Sequence, residues 1–116
     1  MRVKRIPIFE GDLLDRAKLD AVMARMVSKV QSSEPGTLDY ERTVSEDGKS
    51  CAIFERYRDS EAMLAHVNGF GEFADEFMAA VRPTGFQIYG GASDELKSTL
   101  AGFSPSYYVK IGGFVR

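Results

Sequence analysis

The side chain best suited to acid–base chemistry in this chain is its single histidine, His66. Histidine has an unperturbed pKa of roughly 6.5 and exchanges protons near neutral pH. The single cysteine, Cys51, lies in a strand pattern, and we expect it to be a buried, unreactive thiol. One histidine and one cysteine cannot form a zinc or iron site without carboxylates, so no metal site is expected.

A helical wheel places His66 within about 60° of Met63 and Phe70, provided that the helix continues through Gly69. The imidazole therefore faces the apolar interior. Two interpretations remain open. His66 could be a core or rim histidine that joins the helix to the sheet by reaching a strand carboxylate such as Glu55. It could instead be a catalytic or substrate-binding group.

Aromatic side chains could line a pocket beside this histidine. Tyrosine hydroxyls could hold an oxyanion or could extend into water, and the candidates are Tyr40, Tyr57 and Tyr89. Phenylalanines at helical spacing could form either the core or the walls of a substrate pocket, and these are Phe70, Phe73 and Phe77. We take all six as candidate substrate-binding residues.

Composition excludes several classes of function. The 116 residues are 44% hydrophobic and 28% charged, which is typical of one globular domain. The formal net charge is −2, so an excess of basic residues for nucleic acid or anionic membranes is lacking. No stretch approaches the ~20 apolar residues of a transmembrane helix. No signal peptide is expected, and the single cysteine fits a reducing, cytoplasmic location.

The first third of the chain predicts a strand, a helix and a turn. Residues 2–10 form a loosely alternating strand in which Pro7 indicates an edge or a bulge. Gly11 is expected to end this strand, and Asp12 to cap a helix over residues 13–32. The apolar stripe of that helix is Leu19, Met23, Met26, Val27 and Val30.

The remaining elements follow from turn signals and periodicity. A break at Glu34-Pro35-Gly36 precedes strands 37–45 and 50–58, which Asp47-Gly48 joins as a hairpin. A helix over residues 61–68 is capped by Asp59 or Ser60 and is expected to stop at Asn68-Gly69. The later elements are a helix over 70–81, a strand over 86–90, a helix over 93–102 capped by Ser93, and a strand over 107–115.

The order of these elements predicts an α+β fold. A β-α-β-β-α-β unit of the ferredoxin-like type forms an antiparallel sheet with helices on one face. We expect one domain over residues 1–116, with a core of about 2–92 and a C-terminal helix and strand over 93–116. The uncovered sheet face carries enough apolar side chains to favour a homodimer, and the last strand could pair with the edge of the partner.

Three segments carry a resemblance to the antibiotic biosynthesis monooxygenase (ABM) domain family. They are residues 34–41 (EPGTLDYE), residues 54–59 (FERYRD), and Glu61-Ala62 with His66. The resemblance covers about residues 2–90. It implies a dimeric α+β barrel, and oxidation of a small electron-rich aromatic, quinol-like or polyketide-like, by molecular oxygen without a flavin, haem or metal. Such an oxidation needs a base with a pKa near neutral to ionise the substrate, and His66 is the one candidate.

Two functional hypotheses follow. The first is a cofactor-independent monooxygenase. The second is a non-catalytic dimeric module that binds a small hydrophobic molecule. The chain has no tryptophan, whereas haem-degrading relatives typically use one, so the sequence argues against haem degradation.

Overall fold

The computed structural model describes residues 6–114 and 116, and it has an α+β fold. Residues 2–5 of the first predicted strand and residue 115 of the last predicted strand lie outside the described residues. The strands are β1 (Ile6–Leu13), β2 (Thr37–Val44), β3 (Ser50–Tyr57), β4 (Val81–Tyr89) and β5 (Ser106–Tyr108). The helices are α1 (Arg16–Ser33), α2 (Ser60–Phe70), α3 (Ala74–Ala80) and α4 (Asp94–Thr99), with 3₁₀ turns at Gly71–Phe73 and Ala101–Phe103.

The five strands form one mixed sheet in the order β2-β3-β1-β4-β5. The first four strands in this order pair antiparallel with one another, and β5 pairs parallel with β4. The predicted ferredoxin-like unit is therefore confirmed. In β3 the residues Cys51, Ile53, Glu55 and Tyr57 are buried, and they alternate with half-buried residues on the opposite face. Helix α1 packs with Cys51 and Ile53 in one core cluster, and α2 packs with Tyr57 in a second.

Strand β1 continues past its predicted end at Gly11. The register between β1 and β4 shifts between Glu10 and Gly11, which marks a bulge. A Cβ atom on Gly11 would lie 2.3 Å from Val81 Cγ1 and 2.9 Å from the Arg82 carbonyl oxygen. This glycine therefore allows a close approach of strands. The prediction that Asp12 caps α1 is wrong, because the Asp15 carboxylate accepts from the Lys18 amide at 3.0 Å.

The predicted stop at Asn68-Gly69 is also wrong, and α2 runs on to Phe70. The Gly69 carbonyl oxygen accepts from Lys29 Nζ at 3.0 Å, and a Cβ on Gly69 would lie 2.9 Å from that nitrogen. The glycine therefore lets the α1 lysine approach α2 closely. Strand β4 begins at Val81 rather than Phe86 and includes Pro83. The prolyl nitrogen is tolerated because β5 pairs only with Gln87–Tyr89, which leaves this part of β4 at an edge among the described residues.

The last predicted strand is short and pairs within the chain. Ser106–Tyr108 lies parallel to Gln87–Tyr89 of the same chain, and the following residues form no strand up to Phe114. Apolar side chains in this tail are exposed, with 99% of Ile111 accessible. Exchange of the tail between subunits, like the homodimer itself, stays a prediction. No helix among residues 6–114 is long and apolar enough to cross a membrane.

Substitution of Gly11 tests the close contact of β1 and β4. We expect Gly11→Ala to lower the free energy of unfolding by about 2 kcal/mol, because the new methyl group must displace strand backbone. In the matched control, Gly85→Ala in β4, the nearest atoms belong to Glu10 at 3.8 and 3.9 Å, which is ordinary contact. We expect the control to change stability by less than about 0.5 kcal/mol. Urea unfolding measures both, and equal losses would contradict the account.

Candidate active site

A cavity of about 370 Å³ lies between the helices and the sheet. This volume falls at the small end of the range for ligand pockets. Its walls come from helices α1, α2 and α3, from strands β1 to β4 and from the segment after α4. The lining residues are Phe9, Met26, Tyr40, Ile53, Glu55, Met63, His66, Val67, Phe70, Phe77, Met78, Pro83, Thr84, Gly85, Phe86, Leu100, Phe103 and Ser104.

Edge-to-face aromatic packing forms much of the cavity wall. The ring of Phe77 contacts those of Phe9 and Phe70, with centroids 5.3 and 5.6 Å away. Phe86 similarly meets Phe103, which follows α4, at 6.5 Å. Such arrangements fix the rings without requiring polar partners. The cavity is therefore suited to an apolar or aromatic molecule.

His66 lies on the inner face of α2 between two buried carboxylates. Its Nδ1 is 2.9 Å from Glu34 Oε1, and its Nε2 is 3.8 Å from Glu55 Oε1. Only 11% of the imidazole is exposed, against 10% of the Glu34 and 9% of the Glu55 side chain. The predicted contact with Glu55 therefore exists, but Glu34 is the hydrogen-bond partner.

The turn after α1 positions Glu34. The Glu34 amide donates to the Val30 carbonyl at 3.0 Å, and its Oε1 also accepts from Thr37 Oγ1 at 3.2 Å. Gly36 keeps this turn against α2, since a Cβ there would lie 2.6 Å from Ala62 Cβ. Sequence reasoning read Glu34-Pro35-Gly36 only as a helix stop and missed this role. The signal that could have revealed this role is that Glu34 is a carboxylate residue within residues 34–41, one of the segments that carry the family resemblance.

The hydrogen bond to Glu34 determines which imidazole nitrogen is free. We assign the proton of neutral His66 to Nδ1, because an ionised carboxylate 2.9 Å away can only accept. Nε2 then carries the lone pair and faces Glu55 at the cavity wall. A carboxylate behind the imidazole also stabilises the imidazolium that forms when Nε2 takes a proton. This arrangement suits a general base.

Burial changes the titration of the groups around His66. It raises the pKa of Glu55, against the opposing effects of His66 and of the Tyr57 hydroxyl, which donates to Glu55 Oε1. Burial, together with the Glu55 carboxylate, also raises the pKa values of Tyr40 and Tyr57 well above their ordinary value. Both tyrosines therefore remain hydroxyl donors at neutral pH. Among the described residues, no group of three or more His, Cys, Asp or Glu side chains is arranged to hold a metal ion.

The structure places four of the seven predicted site residues in the cavity wall. These are His66, Tyr40, Phe70 and Phe77. The Tyr40 ring packs edge-on to the imidazole with centroids 5.1 Å apart.

The other three predicted residues do not line this cavity. Tyr57 is fully buried, and its hydroxyl donates a hydrogen bond to Glu55 Oε1. Phe73 packs in the core beside Arg25 and Lys29. Tyr89 stacks on the ring of Tyr108 at 4.8 Å and donates from its hydroxyl to Gln87 at 3.0 Å.

Comparison with solved structures shows the same fold in several proteins. MupZ from Pseudomonas fluorescens has 22% sequence identity and a TM-score of 0.86, covering 100% of this chain and 91% of that chain. Rv0793 from Mycobacterium tuberculosis has 21% identity and a TM-score of 0.67, covering 78% and 97%. SnoaB, a cofactor-independent oxygenase from Streptomyces nogalater, has 15% identity and a TM-score of 0.67, covering 78% and 95%.

A comparison with curated proteins finds no match. The family model described as antibiotic biosynthesis monooxygenase matches residues 15–83, which is more than half of the sequence. This span includes Glu34, Glu55 and His66. The chain belongs to the antibiotic biosynthesis monooxygenase family.

Proposed function

We propose that this protein is a cofactor-independent monooxygenase that oxidises a small aromatic bearing a hydroxyl group, of quinol or polyketide type. Family membership and the fold shared with SnoaB, a cofactor-independent oxygenase, support the proposal. The observation that carries it is the position of His66. His66 lines a mainly apolar cavity, with one ring nitrogen hydrogen-bonded to Glu34 and the other 3.8 Å from Glu55 Oε1 in the cavity wall.

The chemistry explains why a base in an apolar cavity is needed. Triplet oxygen reacts slowly with closed-shell molecules, and an electron-rich anion is a much better electron donor than its neutral parent. His66 Nε2 takes the proton of the substrate hydroxyl, and the Glu34 carboxylate stabilises the resulting imidazolium. The aromatic walls exclude water, which strengthens the attraction between the imidazolium and the substrate anion.

The oxidation then balances without another electron source. The substrate anion passes one electron to oxygen, and the two radicals combine to form a carbon–oxygen bond. The peroxide takes the proton back from the imidazolium and becomes a hydroperoxide. Loss of the ring proton and of hydroxide as water leaves a quinone. One oxygen atom enters the product and the other leaves in water.

The remaining predicted residues differ in their contacts with this cavity. Tyr40, Phe70 and Phe77 lie in the cavity wall and are proposed to contact the substrate. Tyr57 is proposed to act through Glu55, to which it donates a hydrogen bond. Phe73 is proposed to support the wall from behind, through the core cluster that it shares with Phe77. Tyr89 contacts Tyr108 and Gln87, which do not line the cavity, so we propose no role for it in the reaction.

Replacement of the proposed base tests the function. We expect His66→Gln to lower oxygen uptake by about 100-fold or more with a dihydroquinone or naphthol substrate, because glutamine still donates to Glu34 but cannot act as a base. The control is Asn68→Ala on the same helix, for which we expect unchanged uptake. An oxygen electrode measures both with purified protein. Equal rates in His66→Gln and wild type would rule out a catalytic role for His66. No oxygen uptake by wild type with any of several dihydroquinones and naphthols would favour the alternative hypothesis, a non-catalytic module that binds a small hydrophobic molecule.

We further propose that the protein works as a homodimer, joined through the sheet face opposite the helices. Phe54 lies on that face and is half-buried. Sedimentation equilibrium should give twice the chain mass for wild type. We expect Phe54→Asp to give the mass of a single chain, because burying a carboxylate in the dimer interface is costly. The control, Lys18→Asp on α1, should leave the dimer intact. A monomeric wild type would contradict this proposal.

A further inference from the structure

Glu55 is a second functional group in the cavity wall, and its two oxygens have different surroundings. Both of its polar contacts involve Oε1, which accepts from the Tyr57 hydroxyl and lies 3.8 Å from His66 Nε2. Among the described residues, Oε2 has no hydrogen-bond partner. Because Glu55 lines the cavity, Oε2 is the atom left to contact a molecule inside it.

No lysine or arginine of the described residues balances a negative charge on Glu55, and the one group near it that can become a cation is His66, whose Nε2 lies 3.8 Å from Oε1. The cavity lining contains no lysine or arginine. The nearby lysine and arginine of α1, Lys29 and Arg25, are paired with Glu72 and Glu76 at the surface. The groups that do surround Glu55 are the buried Glu34 carboxylate, His66, Tyr40 and Tyr57. A second buried carboxylate nearby disfavours ionisation of the first, and burial raises the pKa of Glu55.

We propose that Glu55 acts as a neutral carboxylic acid that donates a hydrogen bond from Oε2 to an oxygen atom of the bound substrate. This role rests on the proposed function and adds a catalytic residue to it. It also defines the substrate class more closely. The preferred molecule is an uncharged aromatic with an oxygen that accepts a hydrogen bond, and substrates carrying a carboxylate or phosphate are rejected because no lysine or arginine meets them.

The proposed reaction needs such a donor. Negative charge develops on the substrate oxygen when His66 takes its proton, and an ionised carboxylate at Oε2 would oppose that charge. A neutral acid in the same place stabilises the developing charge through a hydrogen bond, and in an apolar site this effect is large. The Tyr57 hydroxyl holds Oε1 as the acceptor, so the proton is left on Oε2.

Binding of 1-tetralone tests the donor without requiring turnover. This bicyclic aromatic ketone accepts a hydrogen bond but cannot donate one, and it has no phenolic proton for His66. We expect Glu55→Gln to bind it within about threefold of wild type, because the amide oxygen can accept from Tyr57 while the amide nitrogen donates to the ketone. We expect Glu55→Ala to bind about tenfold more weakly, since one hydrogen bond is lost. Isothermal titration calorimetry measures all three.

The pH dependence separates a neutral acid from an ionised one. As pH rises through the raised pKa of Glu55, wild type should lose affinity for 1-tetralone, because an ionised Oε2 cannot donate. Glu55→Gln retains His66, Glu34, Tyr40 and Tyr57, so it should not show the part of the pH dependence that Glu55 causes. A difference infrared spectrum, wild type minus Glu55→Gln, should show the carbonyl stretch of a protonated carboxyl group at neutral pH.

Several results would overturn the proposal. Binding by Glu55→Gln as weak as that of Glu55→Ala would show that a neutral hydrogen-bond donor at this position does not hold the ketone. Wild-type affinity in Glu55→Ala, or no binding of 1-tetralone by wild type, would show that Oε2 meets no ligand. If Glu55→Ala does not fold, absence of the protonated carboxyl band decides against the proposal. Failure of the proposed oxidation would appear differently, as normal 1-tetralone binding without oxygen uptake.

Discussion

Two carboxylates contact one imidazole in a mostly buried region, and among the described residues the wall of the adjoining cavity contains no lysine or arginine. Glu34, from the turn after α1, and Glu55, from the centre of β3, approach His66 from opposite sides. Burying polar and ionisable groups without partners is costly, and these three side chains contact one another and the hydroxyls of Thr37 and Tyr57. Their contacts hold α2 against both the turn and the sheet. The same requirement directs one imidazole nitrogen to Glu34 and leaves the other at the cavity wall.

The cavity lies between two core clusters of the described residues, and both clusters contribute to its wall. The first joins α1 to Phe73, Phe77 and the start of β4, and the second joins α2 and α4 to Tyr57 and Ile88. The space between them is walled by phenylalanines that pack edge-to-face. Leu100, Phe103 and Ser104 complete the wall and lie beyond residues 15–83, the span of the family match. The C-terminal extension therefore helps to define the volume available to a substrate.

Local signals in the sequence predicted most of the fold. Asp47-Gly48 formed the predicted hairpin turn, with Gly48 at φ +75°, and the Asp59 carboxylate capped α2 as expected. Errors arose at glycines whose role depends on a distant neighbour. Gly11 looked like a strand end but allows contact with β4, and Gly69 looked like a helix stop but allows contact with Lys29. Neither neighbour can be identified from local periodicity.

The candidate site was predictable only in part for a related reason. Helical periodicity placed His66 toward the interior, and Glu55 was expected to be a strand carboxylate within its reach. Neither expectation shows that the Tyr57 hydroxyl donates to Glu55, because that contact depends on side-chain direction within the assembled core. Glu34 was missed because a turn has no periodicity, so its sequence does not indicate which element its side chain will meet.

The proposed function depends most directly on Glu34, whose carboxylate holds the proton of neutral His66 on Nδ1 and leaves Nε2 as the proposed base. Because His66 is the single histidine of the chain, nitrogen-15 NMR of the imidazole gives an unambiguous signal. In neutral His66, this arrangement predicts a protonated Nδ1 and an unprotonated Nε2, and a loss of this preference in Glu34→Ala, which has no acceptor for the Nδ1 proton. A wild-type imidazole protonated mainly at Nε2, or an unchanged preference in Glu34→Ala, would contradict it.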